Sequence, residues 1–367
     1  MEIENSGPLP YEVLEAFAKQ KLESGPFGYI HGSASRGETN KKNTDAFAKY
    51  SILPRFLKNV STLDLQVELF GKTYPHPLFI APAGVNKIAH EDGEKAVAKA
   101  AKKYGYNYIQ STVSSYSIEE IAESAPDSPK WFQLYWQSNK EVAYSFVERA
   151  EKAGYEAIVL TVDTVVLGWR EEDVRNGYSP LSRGFGQGNY ISDPVFMDSL
   201  HTNNQEAIIQ GIIENINHPT LNWNDVAELR KRTSLPILLK GVLHPEDALL
   251  AMEYGIDGII VSNHGGRQLD GTIASIDALP KIVEAVNGKI PVLFDSGVRR
   301  GIDVVKALAL GATAVCIGRP VLWGLAYNGQ NGVETVLSQL LDELKNSMTL
   351  AGVRDVEEAS NLTILKD

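Results

Sequence analysis

A chain of 367 residues, 43% of them hydrophobic, is long enough to bury a full core in one large domain or two ordinary ones. Its formal net charge of −11 disfavours nucleic acid and anionic membrane surfaces as partners, although a few local cations in a pocket could still hold a small anion. The single cysteine, Cys316, excludes an intrachain disulfide, and within the apolar run 314–317 it is expected as a buried core thiol.

No basic segment followed by an apolar stretch opens the chain, and no apolar run approaches the ~20 residues of a membrane span. A cytoplasmic protein without a membrane partner is therefore expected. Leu9, Val13, Leu14, Phe17, Ala18 and Leu22 recur at helical spacing and predict an amphipathic helix over 9–23. A glycine-containing stretch follows at 24–33, and then a second helix over 35–49. Pro54, Asp64, Gly71 and Pro75 interrupt short apolar alternations, which predicts one or two small antiparallel strands in 50–75. Residues 1–77 thus read as a cap segment packed on something more regular.

From residue 78 a pattern repeats. Short apolar runs end in small or polar residues at 78–82, 108–111, 131–135, 157–163, 237–241, 258–263, 292–296 and 314–318. Helical stretches lie between them, among them 92–104, 140–153, 224–232, 245–254, 275–287 and 301–310, and a long amphipathic helix is predicted over 333–351. Strands alternating with helices imply parallel βαβ units. Eight of them point to an α/β fold of the TIM (β/α)8 barrel type, residues 78–367, with the N-terminal segment as a helical cap. One connection is out of scale. The long insertion after strand 4 is rich in Gly, Ser, Asn and Pro at about 180–222, shows few helical signals before about 205, and reads as a mobile lid.

In such a barrel all strand C-termini open onto one face. The residues that must converge there are Pro82, Ala83 and Gly84, Ser111 and Thr112, Gln133 and Tyr135, Thr161 and Asp163, Lys240, Ser262, His264 and Arg267, Asp295, Ser296 and Gly297, and Gly318 and Arg319. Arg170 follows the fourth strand closely. Glycines and helix starts after strands seven and eight, beside Arg299 and Arg319, suit a phosphate. His264 and Asp163 could form a base–carboxylate pair, and Arg170 and Arg267 could hold a substrate carboxylate. Tyr29 and Tyr135 could offer hydroxyls. Lys240 could form a Schiff base or stabilise an anion. Each alone also has a structural explanation: Lys240 could snorkel, Asp163 could cap a helix, and the tyrosines could be core. Their joint placement at strand ends favours chemistry.

The stretches Ser262-Asn263-His264-Gly265-Gly266-Arg267-Gln268, Leu160-Thr161-Val162-Asp163-Thr164 with Arg170, Leu239-Lys240-Gly241 and Asp295-Ser296-Gly297-Val298-Arg299-Arg300-Gly301 resemble those of the FMN-dependent L-2-hydroxy acid oxidases and dehydrogenases. The resemblance runs from about 11 to 352. It implies FMN as cofactor, with Pro82, Ala83, Gly84, Ser111, Gln133, Thr161, Lys240 and Ser262 around the flavin. Asp295, Gly297, Arg299, Gly318 and Arg319 would hold ribityl and phosphate. It implies His264 as base paired with Asp163, Arg170 and Arg267 on the substrate carboxylate, and Tyr29 and Tyr135 near the reacting carbon. The implied activity is oxidation of a short L-2-hydroxy acid such as L-lactate with O2 by a homotetramer. The products would be pyruvate and peroxide in the oxidase branch, or acetate, carbon dioxide and water in the lactate 2-monooxygenase branch. Trp131–Trp136, Leu167–Arg170 and Ser192–Phe196 look similar to the latter. A dehydrogenase using a quinone or cytochrome, or an oxidase of a larger acid such as mandelate, is the alternative. Gly84 and Val113 replace the alanine and bulky aromatic usual in the oxidases, which is expected to enlarge or loosen the pocket.

Overall fold

The computed structural model describes residues 8–202 and 204–367. Eight parallel strands close on themselves: β1 (Leu78–Ile80), β2 (Asn107–Ser111), β3 (Lys130–Tyr135), β4 (Ile158–Thr161), β5 (Ile237–Val242), β6 (Gly258–Val261), β7 (Val292–Phe294) and β8 (Ala314–Ile317). Each predicted apolar run is one of them. They run apolar without alternation because both faces are covered, by helices outside and by packed side chains within. Phe79, Ile109, Trp131, Val159, Leu238, Ile260, Leu293 and Cys316 fill the interior. A hairpin, Val67–Leu69 with Lys72–Tyr74, plugs the end where the strands begin, and Phe70 and Tyr74 pack on Trp131. The opposite end stays open.

The front segment is more helical than its composition suggests. Helices Tyr11–Lys21 and Glu38–Asp45 match expectation, the second continuing as a 3-10 turn. The glycine-containing stretch is itself a helix, Ser24–His31. Its glycines would be poor helix formers in isolation. Here they let another segment approach: a Cβ at Gly25 would lie 2.4 Å from the Tyr178 ring, and one at Gly28 2.5 Å from the Asn176 amide. The strand Tyr50–Leu53 pairs with the C-terminal strand Thr363–Lys366. The last long helix begins at Arg319, not near 333, and breaks at Asn328 and Gly329 before running to Ala351. Among the described residues no helix is long and apolar enough to cross a membrane.

The insertion after β4 is the main departure. Helices Glu171–Asn176, Gly188–Ile191 and Pro194–Leu200 precede Gln205–Ile216. Tyr190 and Phe196 are fully buried and meet edge-on, and Tyr190 also meets Phe146 edge-on. Arg149 anchors this part. It donates to both oxygens of Glu119 (2.8 and 2.7 Å), to the buried Asp193 (3.0 Å) and to the Asn189 carbonyl (2.9 Å). The helices Gly188–Ile191, Pro194–Leu200 and Gln205–Ile216 are thus part of the packed body, and the more exposed piece is the stretch before them, where Leu167, Trp169 and Val174 face solvent. Removing the guanidinium in Arg149→Ala strands Asp193 without a counter-charge, at an expected cost of roughly 3–5 kcal/mol in denaturant unfolding. A loss under about 1 kcal/mol would place this anchor among surface ion pairs of little weight.

Candidate active site

The open end of the barrel holds a cavity that opens to solvent. Tyr29, Pro82, Ala83, Gly84, Tyr135, Arg170, Lys240, His264, Arg267, Asp295, Gly297, Arg299, Gly318 and Arg319 all line it. Ser111, Gln133, Thr161, Ser262 and Asp163 stand behind that wall. Gln133 accepts from the Ser111 hydroxyl (3.1 Å) and donates to the Thr161 hydroxyl (3.0 Å), so three strands are joined by one amide. The Ser262 hydroxyl accepts from Lys240 Nζ (3.1 Å) and from the His264 backbone N–H (3.0 Å).

A bulge aims the centre of the site. The β5–β6 register slips between Lys240 and Val242, and Gly241 takes φ +111°. A Cβ on Gly241 would sit 2.7 Å from Asp163 Cβ and 2.9 Å from its Oδ2, so only glycine leaves the carboxylate room. Asp163 Oδ1 receives His264 Nδ1 at 2.9 Å and the Thr164 hydroxyl at 2.9 Å. His264 itself is left-handed, at φ +59°. That strain is held by the hydrogen bond to Ser262 and by the following glycines, since Gly265 N–H donates to Ser296 Oγ (3.1 Å). The cap segment braces the same turn: the Asn43 and Asn263 amides exchange two hydrogen bonds of 2.7 Å. With Nδ1 turned to Asp163, the ring presents Nε2 to the cavity.

Burial holds the His264 imidazole below its ordinary pKa, against the pull of Asp163. It is therefore neutral and basic near pH 7. Burial alone would raise the Asp163 carboxyl, but His264 and Lys240 bring it below its usual range. Lys240 is buried too, yet Asp295 at 3.4 Å and Asp163 keep its ammonium charged and its pKa raised. Burial pushes Tyr135 up to about 12, so it stays a hydroxyl donor.

The arginines carry an unmet demand for anions. Arg267 donates to the carbonyls of Tyr29 (2.6 Å) and Gly32 (2.8 Å), and its guanidinium lies 4.9 Å from the Tyr29 ring centre. Arg170 reaches the Arg267 carbonyl (3.4 Å) and the Gln268 side chain (3.3 Å). Burial and the neighbouring Arg170 bring Arg267 down to about 9, and burial with Arg299 brings Arg319 to about 10. Guanidiniums so depressed gain stabilisation from any anion that enters. Arg319 spends most of its donors on the carbonyls of Ile30, Gly32 and Gly265 and on Asn40. Arg299 is freer; it donates to the Val298 carbonyl and lies 4.2 Å from the Tyr11 ring centre. Beside them, Gly318 caps the start of the long helix and Gly297 is left-handed at φ +86°. A Cβ on Gly297 would fall 2.1 Å from the Asn43 carbonyl, whereas at Gly318 the nearest atom is 3.9 Å away. Backbone, helix start and arginines form a positively charged cradle suited to an anion such as a phosphate, and the apolar wall from Pro82 to Gly84 suits the face of a flat ring system.

One expectation fails. Gly84 does not enlarge the pocket, because a Cβ there would point at Val113, 2.3 Å from its Cγ2 and 2.9 Å from its carbonyl. Val113 already fills the place. Sequence reasoning gave no individual role to Gln268 or Gly241, although both stand in the motifs it singled out. Gln268 donates to the Asp163 and Val166 carbonyls and fixes the loop carrying Arg170. Its position directly after Arg267 was the available signal.

A model of the FMN-dependent dehydrogenases matches residues 18–366. The chain is 58% identical to an L-lactate oxidase of Lysinibacillus sphaericus over 98% of its own length and 93% of that protein. It is 43% identical to an L-lactate oxidase of a Nostoc species, covering 96% and 97% of the two chains. A crystal structure of mandelate oxidase with (S)-4-hydroxymandelic acid superposes with a TM-score of 0.89 at 38% identity, over 98% of this chain and 99% of that one. With the barrel, the His–Asp pair and the paired arginines in place, the conclusion is direct: this protein belongs to the FMN-dependent dehydrogenase family and is an FMN-dependent 2-hydroxy acid oxidoreductase.

Proposed function

We propose that the protein oxidises L-lactate, or an equally short L-2-hydroxy acid, with O2. One 2-hydroxy acid and one O2 give one 2-oxo acid and one hydrogen peroxide. The observation that carries this is the His264–Asp163 pair, 2.9 Å apart, beside the buried Arg170 and half-buried Arg267 guanidiniums on one cavity. The two lactate oxidase relatives support lactate as the acid.

Arg170 and Arg267 would bind the substrate carboxylate, and the hydroxyls of Tyr29 and Tyr135 would orient its hydroxyl-bearing carbon. His264 takes the substrate proton at Nε2, and Asp163 stabilises the imidazolium that results. When bound, FMN supplies a two-electron acceptor that O2 reoxidises. Pro82, Ala83, Gly84, Ser111, Gln133, Thr161 and Ser262 would hold its ring, and Asp295, Gly297, Arg299, Gly318 and Arg319 its ribityl phosphate. Lys240 would offer that ring a preorganised cation. For the assembly we favour the homotetramer. Exposed apolar side chains such as Phe56 and Leu57 support burial against other copies; a monomeric mass in light scattering would exclude it.

Aerobic turnover of L-lactate is expected to give pyruvate and peroxide in equal amounts. Acetate without free peroxide would move the protein to the monooxygenase outcome, and failure of both lactate and larger 2-hydroxy acids to bleach the flavin without oxygen would refute the proposal. With His264 held low, kcat/KM should be flat near neutrality and fall only below its ordinary pKa of about 6.5. Asp163→Asn removes the anion that raises the imidazole, so the acid limb should move lower still while kcat drops roughly 10²–10⁴-fold. An unmoved limb would disprove the coupling. Gly84→Ala should lower the melting temperature through about 1–3 kcal/mol of overpacking against Val113. Adding Val113→Ala should recover part of that loss, and no recovery would show that the contact is not the cause.

A further inference from the structure

Glu94 is a fully buried carboxyl to which the chemistry above gives no role. It sits in the first turn of helix Gly93–Tyr104, directly behind the cavity wall. Its Oε1 accepts two backbone hydrogen bonds, from Asn86 N–H (2.8 Å) and from Ser115 N–H (3.0 Å). Its Oε2 is buried with no partner, and among the described residues it forms no ion pair. Lys87, a cation that acts on it through space, lies 5.0 Å from the Tyr116 ring centre.

The two donors belong to different strand ends. Asn86 closes the turn after β1, which supplies Pro82, Ala83 and Gly84 to the cavity, and with its amide turned so that the nitrogen faces them, its side chain donates to the carbonyls of Ala83 and Gly84 at 3.2 Å. Ser115 belongs to the turn after β2, which supplies Val113. Between them Val85, left-handed at φ +55°, donates to the Val113 carbonyl (2.9 Å). A non-glycine residue held in that conformation needs its surroundings to fix it.

We propose that Glu94 is the positioning residue of the flavin wall: one carboxyl oxygen staples the β1 and β2 turns together and so fixes the Gly84–Val113 contact. The inference rests on the reading of this wall as the flavin's. Burial pushes the carboxyl above its usual range. That suits a neutral acceptor and predicts that glutamine can replace it.

Glu94→Ala should weaken FMN binding to the apoprotein roughly tenfold, read by flavin fluorescence, since two donors lose their acceptor. Hydrogen exchange should rise at 83–88 and 112–116 together, in apoprotein and holoenzyme alike. Glu94→Gln should restore both readouts, because its Oε1 can still accept both bonds. Should the alanine variant not fold, Glu94→Asp, too short to reach both N–H groups, should give the same paired rise. A glutamine variant as impaired as the alanine one, a rise in neither turn, or a rise spread over the whole chain would each overturn the proposal. Failure of the unaltered protein to bind FMN would refute the flavin reading instead, leaving the exchange in the apoprotein to judge the staple.

Discussion

Closure of the sheet is the constraint on which everything else depends. β8 hydrogen-bonds to β1, with Val315 beside Leu78 and Ile317 beside Ile80. Without that seam Gly84 and Gly318 would lie at opposite edges of an open sheet. With it, residues more than 230 positions apart share one rim. The apolar interior, from Phe79 and Trp131 to Cys316, holds the ring at its diameter, and the hairpin below shuts the other end. Chemistry is thereby confined to one face.

On that face an acidic protein concentrates cations. Lys240, Arg170, Arg267, Arg299 and Arg319 all reach the cavity; Asp163 is committed to His264 and Asp295 to Lys240 and Ser296, which leaves Asp173 as a carboxylate that attracts Arg170 and Arg267. Removed from water, these charges interact strongly and repel one another, so two anions are called for. A phosphate at one end and a small carboxylate at the other meet that demand. The imidazole is poised by the same balance, since burial and Lys240 disfavour its protonated form and Asp163 limits the effect.

Two features resisted reading from the sequence for one reason. The Ser24–His31 helix and the helices Gly188–Ile191 and Pro194–Leu200 of the insertion look weakly structured by local propensity. Both are stabilised by partners far along the chain: Gly25 and Gly28 by Tyr178 and Asn176, and Asp193 by Arg149. Tertiary packing overrides propensity there. Gly84 shows the same limit, because the space beside it is taken by Val113 from another strand end.

By itself the sequence determined the eight buried strands, their parallel order and hence the barrel, because period and run length report burial directly. It also determined which residues end those strands, and so which side chains share one rim, from His264 to Arg319. Only the tertiary structure decided their relations. That Gly241 makes room for Asp163, that Arg319 is bound by carbonyls of the cap, and that one buried oxygen of Glu94 holds two turns all depend on chain segments meeting in space. Spacing along a chain fixes direction within a strand or helix, but not the distance between side chains brought together by closure.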